Sequence, residues 1–171
     1  MKILLKNATL IHEKSPFHNK QKDVLVENGI ISQIEDHIET NDATVIEFED
    51  LHLSSGWFDP CVSFGEPGYE ERETLANGLL TAAKSGFTHI VLNPDTYPML
   101  DSYTDVSHLL QRSQNHTTSL HISASLSEAS VGENMAPLYE MHKAGAVAFG
   151  DFNQSHKNPN LMRIALDYVP S

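Results

Sequence analysis

The sequence has very little cysteine and no long apolar run. Cys61 is its single cysteine, so an internal disulfide framework is excluded. The apolar stretch near the N-terminus is interrupted after Leu5, which makes it too short for a signal peptide. No later stretch reaches the length of a transmembrane helix. We therefore expect a cytoplasmic protein without a membrane-spanning segment.

Basic residues are also scarce. The chain has 11 lysines and arginines against 23 aspartates and glutamates, which gives a formal net charge of −12. A surface this acidic repels nucleic-acid phosphates and anionic membranes, and no basic run offsets the repulsion. We expect neither nucleic-acid binding nor membrane binding. With 171 residues, 40% of them hydrophobic, the chain is long enough to bury a core.

Residues 1–54 have the pattern of short β-strands. Apolar and β-branched segments recur with little helical periodicity, among them "KILLKNATLI", "KDVLV", "IISQI" and "ATVIEFED". Asn28-Gly29 lies between two of these segments, and Asn-Gly is a strong signal for a tight hairpin turn. We predict a small antiparallel β module.

From residue 55 onward, strand and helix patterns alternate. The strand candidates are "WFDPCVSF", "THIVLNP", "SLHISASL" and "AVAFGDF". The helix candidates are "ERETLANGLLTAAKS", "DSYTDVSHLLQRSQ", "ENMAPLYEMHKAG" and "NPNLMRIALDYV". Four consecutive βα units with short connections are typical of a parallel sheet with right-handed crossovers.

Four βα units are half of a closed eight-unit barrel, which usually needs roughly 250 residues. A half barrel leaves strand edges unpaired. Two explanations follow: the chain is a portion of a longer barrel protein, which we favour, or its strands form a self-contained open sheet. A self-contained domain predicts a cooperatively folding monomer, whereas a portion predicts self-association through the strand edges.

Several ordered motifs resemble the dihydroorotase family of the amidohydrolase superfamily. The segment "GWFDPCVSFGEPGYEERET" is similar to the family's Gly-x-x-Asp-x-His-x-His-x-Arg-[Glu/Asp]-Pro-Gly followed by Glu-Thr. "AAKSGFTHIVLNPDTYP" resembles Ala-Ala-x-x-Gly-Gly-Phe-Thr and Pro-Asn-Thr-x-Pro. "KAGAVAFGDFNQ" and "NLMRIALDY" resemble two later family motifs, Ala-Gly-Ala-Val-Ala-Phe-Ser-Asp-Asp-Gly and Leu-Met-Arg-x-Ala-Leu-x-Tyr.

The resemblance covers essentially the whole chain and implies an α/β fold. It places the N-terminal part of a (β/α)8 TIM barrel, about four βα units, at residues 55–171. Residues 1–54 resemble the family's N-terminal β segment, which forms part of a composite β-sandwich beside the barrel.

The positions that carry the family's chemistry have changed. Cys61 and Ser63 occupy the places of the two zinc-binding histidines, and a hydroxyl is a poor replacement for imidazole. Gly65 replaces the arginine that binds the substrate carboxylate, so the bidentate hydrogen bond from a guanidinium group is lost. Asp95 replaces the asparagine of Pro-Asn-Thr, and Phe152 replaces a metal-binding carboxylate. All five comparable positions have lost the required group.

Asp59 and Asp151 are the residual ligand candidates, and for both we favour a structural hydrogen-bonding role. Cys61 is better explained as a small strand-end thiol than as a nucleophile or metal ligand. The ten histidines form no His-x-His or His-x3-His pair, and we expect His121, on a predicted strand, to be a core histidine.

These departures leave the enzyme status open and favour a homologue that has lost catalysis. In this interpretation no cofactor is expected, and the protein is a structural or assembly partner in pyrimidine biosynthesis. The resemblance implies aspartate carbamoyltransferase as that partner, with self-association as the other possibility. The alternative is an active zinc-dependent cyclic amidohydrolase that uses ligands beyond residue 171. Asp59, Cys61, Asp95 and Asp151 would then be its local candidates.

Overall fold

The computed structural model describes residues 1–156 and 158–169. It divides the chain into two units, one from Met1 to Ser55 and one from Gly56 onward. Each unit has its own sheet and its own buried cluster. No helix among the described residues combines the length and the apolar character needed to cross a membrane.

The first unit is a five-stranded sheet with the order β3-β2-β1-β4, and β5 also pairs with β1. The strands are β1 Lys2–Ile11, β2 Gln21–Glu27, β3 Ile30–Glu35, β4 Thr44–Ile46 and β5 His52–Ser54. β1, β2 and β3 are antiparallel neighbours, but β4 and β5 both run parallel to β1. The prediction of an antiparallel module was therefore wrong for these two strands. Adjacent hairpins are visible in a sequence, whereas the return of a distant short strand is not.

The hairpin between β2 and β3 is formed as predicted. Asn28 and Gly29 have φ of 52° and 82°, and a two-residue turn with positive φ at both positions matches the twist of the flanking strands. Asp23 is buried in β2, where its carboxylate accepts backbone N–H bonds from Asn7 and Ile38, each at 3.0 Å. Two donors therefore compensate its burial.

The second unit alternates strands and helices along the chain. Its elements are β6 Trp57–Val62, α1 Leu75–Lys84, β7 Phe87–Leu92, α2 Tyr103–Arg112, β8 Ser119–Ala124, α3 Leu138–Ala144, β9 Ala146–Phe149 and α4 Pro159–Tyr168. The four strands form one parallel sheet in the order β6-β7-β8-β9. The predicted four βα units are thus present, in chain order.

The helix boundaries follow from capping residues. The hydroxyl of Thr74 accepts from the backbone N–H of Asn77 at the start of α1, and that of Ser102 accepts from Asp105 at the start of α2. Gly145, with φ of 111°, ends α3 in the left-handed conformation that glycine adopts without strain.

Helix α3 is shorter than its sequence pattern predicted. The pattern extended over residues 133–145, but α3 begins at Leu138. Pro137 disfavours helical geometry in the residue before it. Ala136 instead donates its backbone N–H to the carbonyl of Leu126, at 3.0 Å. The preceding segment therefore folds against the loop that follows β8.

One face of the parallel sheet is covered by the helices. Its buried cluster joins strands and helices, including Leu79 of α1, Ile90 of β7, Leu109 of α2, Ile122 of β8 and Met141 of α3. Because side chains alternate along a strand, the neighbours of Ile90 and Ile122 point to the opposite face. We call this opposite face, which carries His89, Val91, Ser119 and His121, the interior face. Within the described residues, the edge strands β6 and β9 each pair on one side only.

Candidate functional site

The candidate site lies where the carboxyl ends of the four parallel strands meet. Parallel strands end at the same edge of a sheet, so the loops that follow them converge there. A cavity of about 510 Å3 opens among these loops. The residues that line it are Tyr69, Arg72, Pro94, Asp95, Met99, Ala129, Ser130, Val131, Phe152, Asn153 and Gln154.

Cys61 and Ser63 are brought together at the end of β6 by a side chain of the next strand end. The Nδ2 of Asn93 donates to Ser63 Oγ at 3.2 Å and contacts Cys61 Sγ at 3.4 Å. The backbone N–H of Asn93 also donates to the carbonyl of Val62 at 2.9 Å. Asn93 is buried, so this amide fixes both side chains, at the two positions for which the sequence predicts replacement of the family histidines.

Asp59 does not join these two residues. Its Oδ1 accepts the backbone N–H of Cys61 at 3.0 Å, which makes a local turn at the strand end. Its side chain lines a separate cavity of about 200 Å3 beside α1, together with Phe64 and Gly78. The carboxylate is therefore directed toward the helix side of the sheet and away from the loop cavity.

Gly65 lies in a tight loop that has no room for a side chain. A Cβ atom at this position would lie 1.8 Å from the carbonyl oxygen of Tyr69. Hydrogen bonds fix this part of the loop, because the backbone N–H of Gly65 donates to the carbonyl of Glu73 and the carbonyl of Gly65 accepts the backbone N–H of Tyr69. The family arginine would not fit this loop conformation.

The rest of this loop is held by ionic contacts. Glu66 is buried, accepts the backbone N–H of Leu75 at 2.7 Å, and pairs with Arg112 of α2. The backbone N–H of Gly68 donates to Glu70, which holds the pKa of that carboxyl below its usual range.

Asp95 and Phe152 both line the loop cavity. Asp95 is half-buried, and its Oδ1 has no hydrogen-bond partner among the described residues. Arg72 lines the same cavity, with its guanidinium 4.3 Å from the centre of the Tyr69 ring. The cavity thus contains one cation and one carboxylate oxygen that is free to accept a hydrogen bond.

Asp151 is buried and its oxygens are fully engaged by the loop after β8. Oδ1 accepts the backbone N–H groups of Leu126 and Ser127 at 2.9 and 3.0 Å, and Oδ2 accepts the Ser127 hydroxyl. The Nε2 of His156 lies 3.5 Å from Oδ2. This carboxylate ties two strand-end loops together.

The donor set at the strand ends does not fit zinc. Zinc prefers four nitrogen, sulfur or carboxylate ligands arranged around one point. Here Cys61 and Ser63 share an amide, Asp59 points toward the helix side, and Asp151 is occupied by three donors. No group of three or more histidine, cysteine, aspartate or glutamate side chains is placed to hold a metal ion in the part of the chain that the structure describes.

Sequence reasoning missed three features of this unit. Asn93 gave no signal, because its role depends on contact between two strand ends. Arg72 lies seven residues after Gly65, and its place in the wall of the loop cavity is visible only in the folded structure. His89 and His121 are adjacent on the interior face. Each is the third residue of its strand, so an alignment of the two predicted strands could have indicated that both side chains lie on one face.

Comparison with known proteins places the chain in a family. It is 33% identical over 171 residues to a dihydroorotase from Pelotomaculum thermopropionicum, covering 99% of this chain and 39% of the relative. It is 34% identical over 174 residues to a dihydroorotase from Syntrophus aciditrophicus, covering all of this chain and 41% of that relative. The chain belongs to the dihydroorotase-like amidohydrolases. No family model matches the sequence.

Solved structures support the fold of this dihydroorotase-like chain. An L-hydantoinase (dihydropyrimidinase) from Arthrobacter aurescens matches with a TM-score of 0.69 and 20% identity, over 86% of this chain and 32% of that one. A dihydroorotase matches with a TM-score of 0.58 and 12% identity, over 86% and 41%. The predicted α/β fold, a partial TIM barrel, is confirmed. The composite β-sandwich for residues 1–54 stays a prediction.

The chain spans about two-fifths of the length of these curated relatives, 39% and 41% of the two named above. It corresponds to the N-terminal portion of a dihydroorotase-like amidohydrolase. The motif resemblance found in the sequence is thereby confirmed, whereas the roles assigned to single residues stay predictions.

Proposed function

We propose that this dihydroorotase-like protein has lost catalysis and acts as a structural or assembly partner in pyrimidine biosynthesis. The observation that carries the proposal is the replacement of both zinc-binding histidines by Cys61 and Ser63, which a single buried amide, Asn93, holds in place. A site of this family activates water only when the metal is held first. A thiol and a hydroxyl that share one amide are not a pair of imidazole ligands.

Two further positions support the same conclusion. Gly65 lies in a loop where a Cβ would meet the Tyr69 carbonyl at 1.8 Å, so the substrate-binding arginine has no place there. Phe152 lines the cavity with an apolar ring at the position of the metal-binding carboxylate. Loss of one functional side chain is compatible with a changed mechanism. Loss at five positions removes both the metal ligands and the arginine that binds the substrate carboxylate.

We propose aspartate carbamoyltransferase as the partner, with self-association as the alternative. The proposal is an analogy with the family, because a fold alone does not define a function. It is supported by the retention of four consecutive βα units despite the altered site. A cytoplasmic location is part of the same proposal.

An active cyclic amidohydrolase remains the second candidate, and one observation favours it. The loop cavity of about 510 Å3 contains Arg72 and an Asp95 oxygen without a partner among the described residues. A cyclic amide has N–H groups that such an oxygen accepts. In this case the metal would require ligands beyond residue 171, and Asp95 would orient the ring.

Turnover of dihydroorotate by the longest natural form of the protein separates the two candidates. The assay is run with zinc supplied and in parallel with an active dihydroorotase. Loss of catalysis predicts no hydrolysis above the buffer rate. Zinc-dependent turnover that Asp95→Ala abolishes would establish the second candidate and contradict the first.

The assembly role has its own test. Size-exclusion chromatography of the protein with and without aspartate carbamoyltransferase is expected to give a co-eluting complex. Separate elution at micromolar concentrations of both proteins would remove that partner from the proposal. If this protein alone elutes earlier than expected for a monomer, the result would indicate self-association.

A further inference from the structure

Two histidines lie next to each other on the interior face of the parallel sheet. His89 is in β7 and His121 is in β8. His89 is in register with Ser119, and Val91 is in register with His121, so the two histidines project from the same face of neighbouring strands. The Nδ1 of His89 is 3.1 Å from the Nε2 of His121.

The contact is a single N–H···N hydrogen bond between the rings. The ring centroids are 5.3 Å apart and the ring planes differ by 25°, so the rings lie almost end to end. One nitrogen of the pair must donate its N–H and the other must accept it with its lone pair, so the N–H bond and that lone pair lie close to one line. Within the described residues neither ring makes another hydrogen bond, and His89 is exposed.

We propose that His89 and His121 form a binding site for a divalent transition-metal ion such as Zn²⁺ or Cu²⁺, with water completing its coordination. Neutral imidazole is the commonest metal ligand in proteins and suits both ions. Zinc–nitrogen bonds of about 2.0–2.1 Å place two nitrogens of a tetrahedral site roughly 3.3–3.4 Å apart. The observed separation of 3.1 Å is already within a few tenths of an ångström of that spacing.

Metal binding requires a small rearrangement of the pair. The bridging proton moves to the outer nitrogen of the donor ring, so no net proton is released. Each ring turns by roughly 35°, so that both lone pairs point at one ion instead of at each other. The exposure of His89 leaves room for this turn, and the net charge of −12 favours the approach of a cation.

This site is separate from the altered site at the strand ends. Asn93, which contacts Cys61 and Ser63, comes four residues after His89 but only two after Val91, the residue in register with His121, so it lies about 7 Å further along the strand than the level of His121. The two sites share no side chain, and within the described residues neither histidine ring hydrogen-bonds to Cys61, Ser63 or Asn93. An ion held by the two histidines would join β7 to β8, and because it binds only the folded sheet, it would raise the thermal midpoint of unfolding.

The test is titration of the metal-free chain with ZnCl2 by isothermal calorimetry, together with electron paramagnetic resonance of the Cu²⁺-loaded chain. We expect one saturable equivalent and a Cu²⁺ spectrum with coupling to two nitrogen nuclei. His89→Gln and His121→Gln should each weaken zinc binding about tenfold or more. His142→Gln, an exposed histidine of α3, is the matched control and should leave zinc affinity unchanged.

Folding of the variants is checked by their thermal midpoints without metal, because glutamine preserves one hydrogen bond at each position. Absence of saturable binding, or equal affinity in the H89Q/H121Q double variant, would overturn the proposal. So would a Cu²⁺ spectrum with a single nitrogen ligand.

A Cys61→Ser variant distinguishes this site from the family position. Zinc lost in the histidine variants alone supports the site and leaves the proposed loss of catalysis intact. Zinc lost in C61S but kept in H89Q/H121Q would overturn the site and also argue against the loss of catalysis.

Discussion

At the scale of single residues, the strand ends are held by hydrogen bonds between side chains and loops that are far apart in the sequence. Asn93 holds Cys61 and Ser63, and Asp151 is saturated by backbone and hydroxyl donors. The sequence predicts which positions have changed, because motif spacing survives substitution. It did not reveal what the new residues contact, because Asn93 and Cys61 are 32 positions apart and meet only through strand pairing.

The loop at Gly65 gives the first prediction. Gly65→Ala places a methyl group against the Tyr69 carbonyl, at 1.8 Å before relaxation, and should lower the free energy of unfolding by about 1–3 kcal/mol. Gly150→Ala is the matched control, because nothing lies within 4 Å of its Cβ position, and its effect should stay within about 0.5 kcal/mol. Urea denaturation measures both. Equal effects of the two substitutions would show that the loop is not constrained as described.

The two residual carboxylates give the second prediction. Asp151→Ala leaves the backbone N–H groups of Leu126 and Ser127 without an acceptor in a buried loop, and should cost about 3 kcal/mol or more. Asp59→Ala removes one partly exposed acceptor and should cost less than about 1 kcal/mol. The same denaturation experiment compares them. A larger loss for Asp59 than for Asp151 would reverse the structural roles assigned here.

At the scale of elements, the sequence predicts most of the second unit, because periodicity and capping signals agree. Ser102 caps the start of α2 and Pro159 is the first residue of α4, and both lie at the start of the predicted helix segments "DSYTDVSHLLQRSQ" and "NPNLMRIALDYV". The exceptions have physical causes. Pro137 shortens α3, and the parallel pairing of β4 and β5 with β1 depends on contacts that no local pattern encodes.

Helix α1 gives the third prediction. Thr74→Ala removes the hydroxyl that accepts from the Asn77 backbone N–H and should lower the free energy of unfolding by about 1 kcal/mol. Thr81→Ala, an exposed change of the same type within α1, should instead stabilise by a few tenths of a kcal/mol, since alanine has the higher helix propensity. Effects of the same sign and size would contradict the capping role.

At the scale of the whole molecule, the open edges of the parallel sheet dominate. Within the described residues, β6 and β9 each lack a neighbour on one side, and large apolar side chains are exposed on both strands. Trp57 and Phe58 are 61% and 57% exposed on β6, and Val147 is 57% exposed on β9. Unpaired apolar edges promote pairing with another chain.

The fourth prediction follows from these edges. The 171-residue chain should self-associate with increasing concentration, and Val147→Lys should reduce that association because an edge lysine opposes strand pairing. Leu80→Lys, on the exposed side of α1, is the control and should leave it unchanged. Sedimentation velocity measures both variants. A monomer at all accessible concentrations would contradict the prediction and favour a self-contained open sheet.

The most direct test of the central claim is the zinc content of the H89Q/H121Q variant of the longest available form. In this background the histidine pair no longer contributes, so any zinc must lie at the strand ends or beyond. The protein is purified without chelator, supplied with zinc, freed of unbound metal and measured by elemental analysis. A dismantled site predicts less than about a tenth of an equivalent. A full equivalent that Cys61→Ser removes would contradict it and restore the enzyme interpretation.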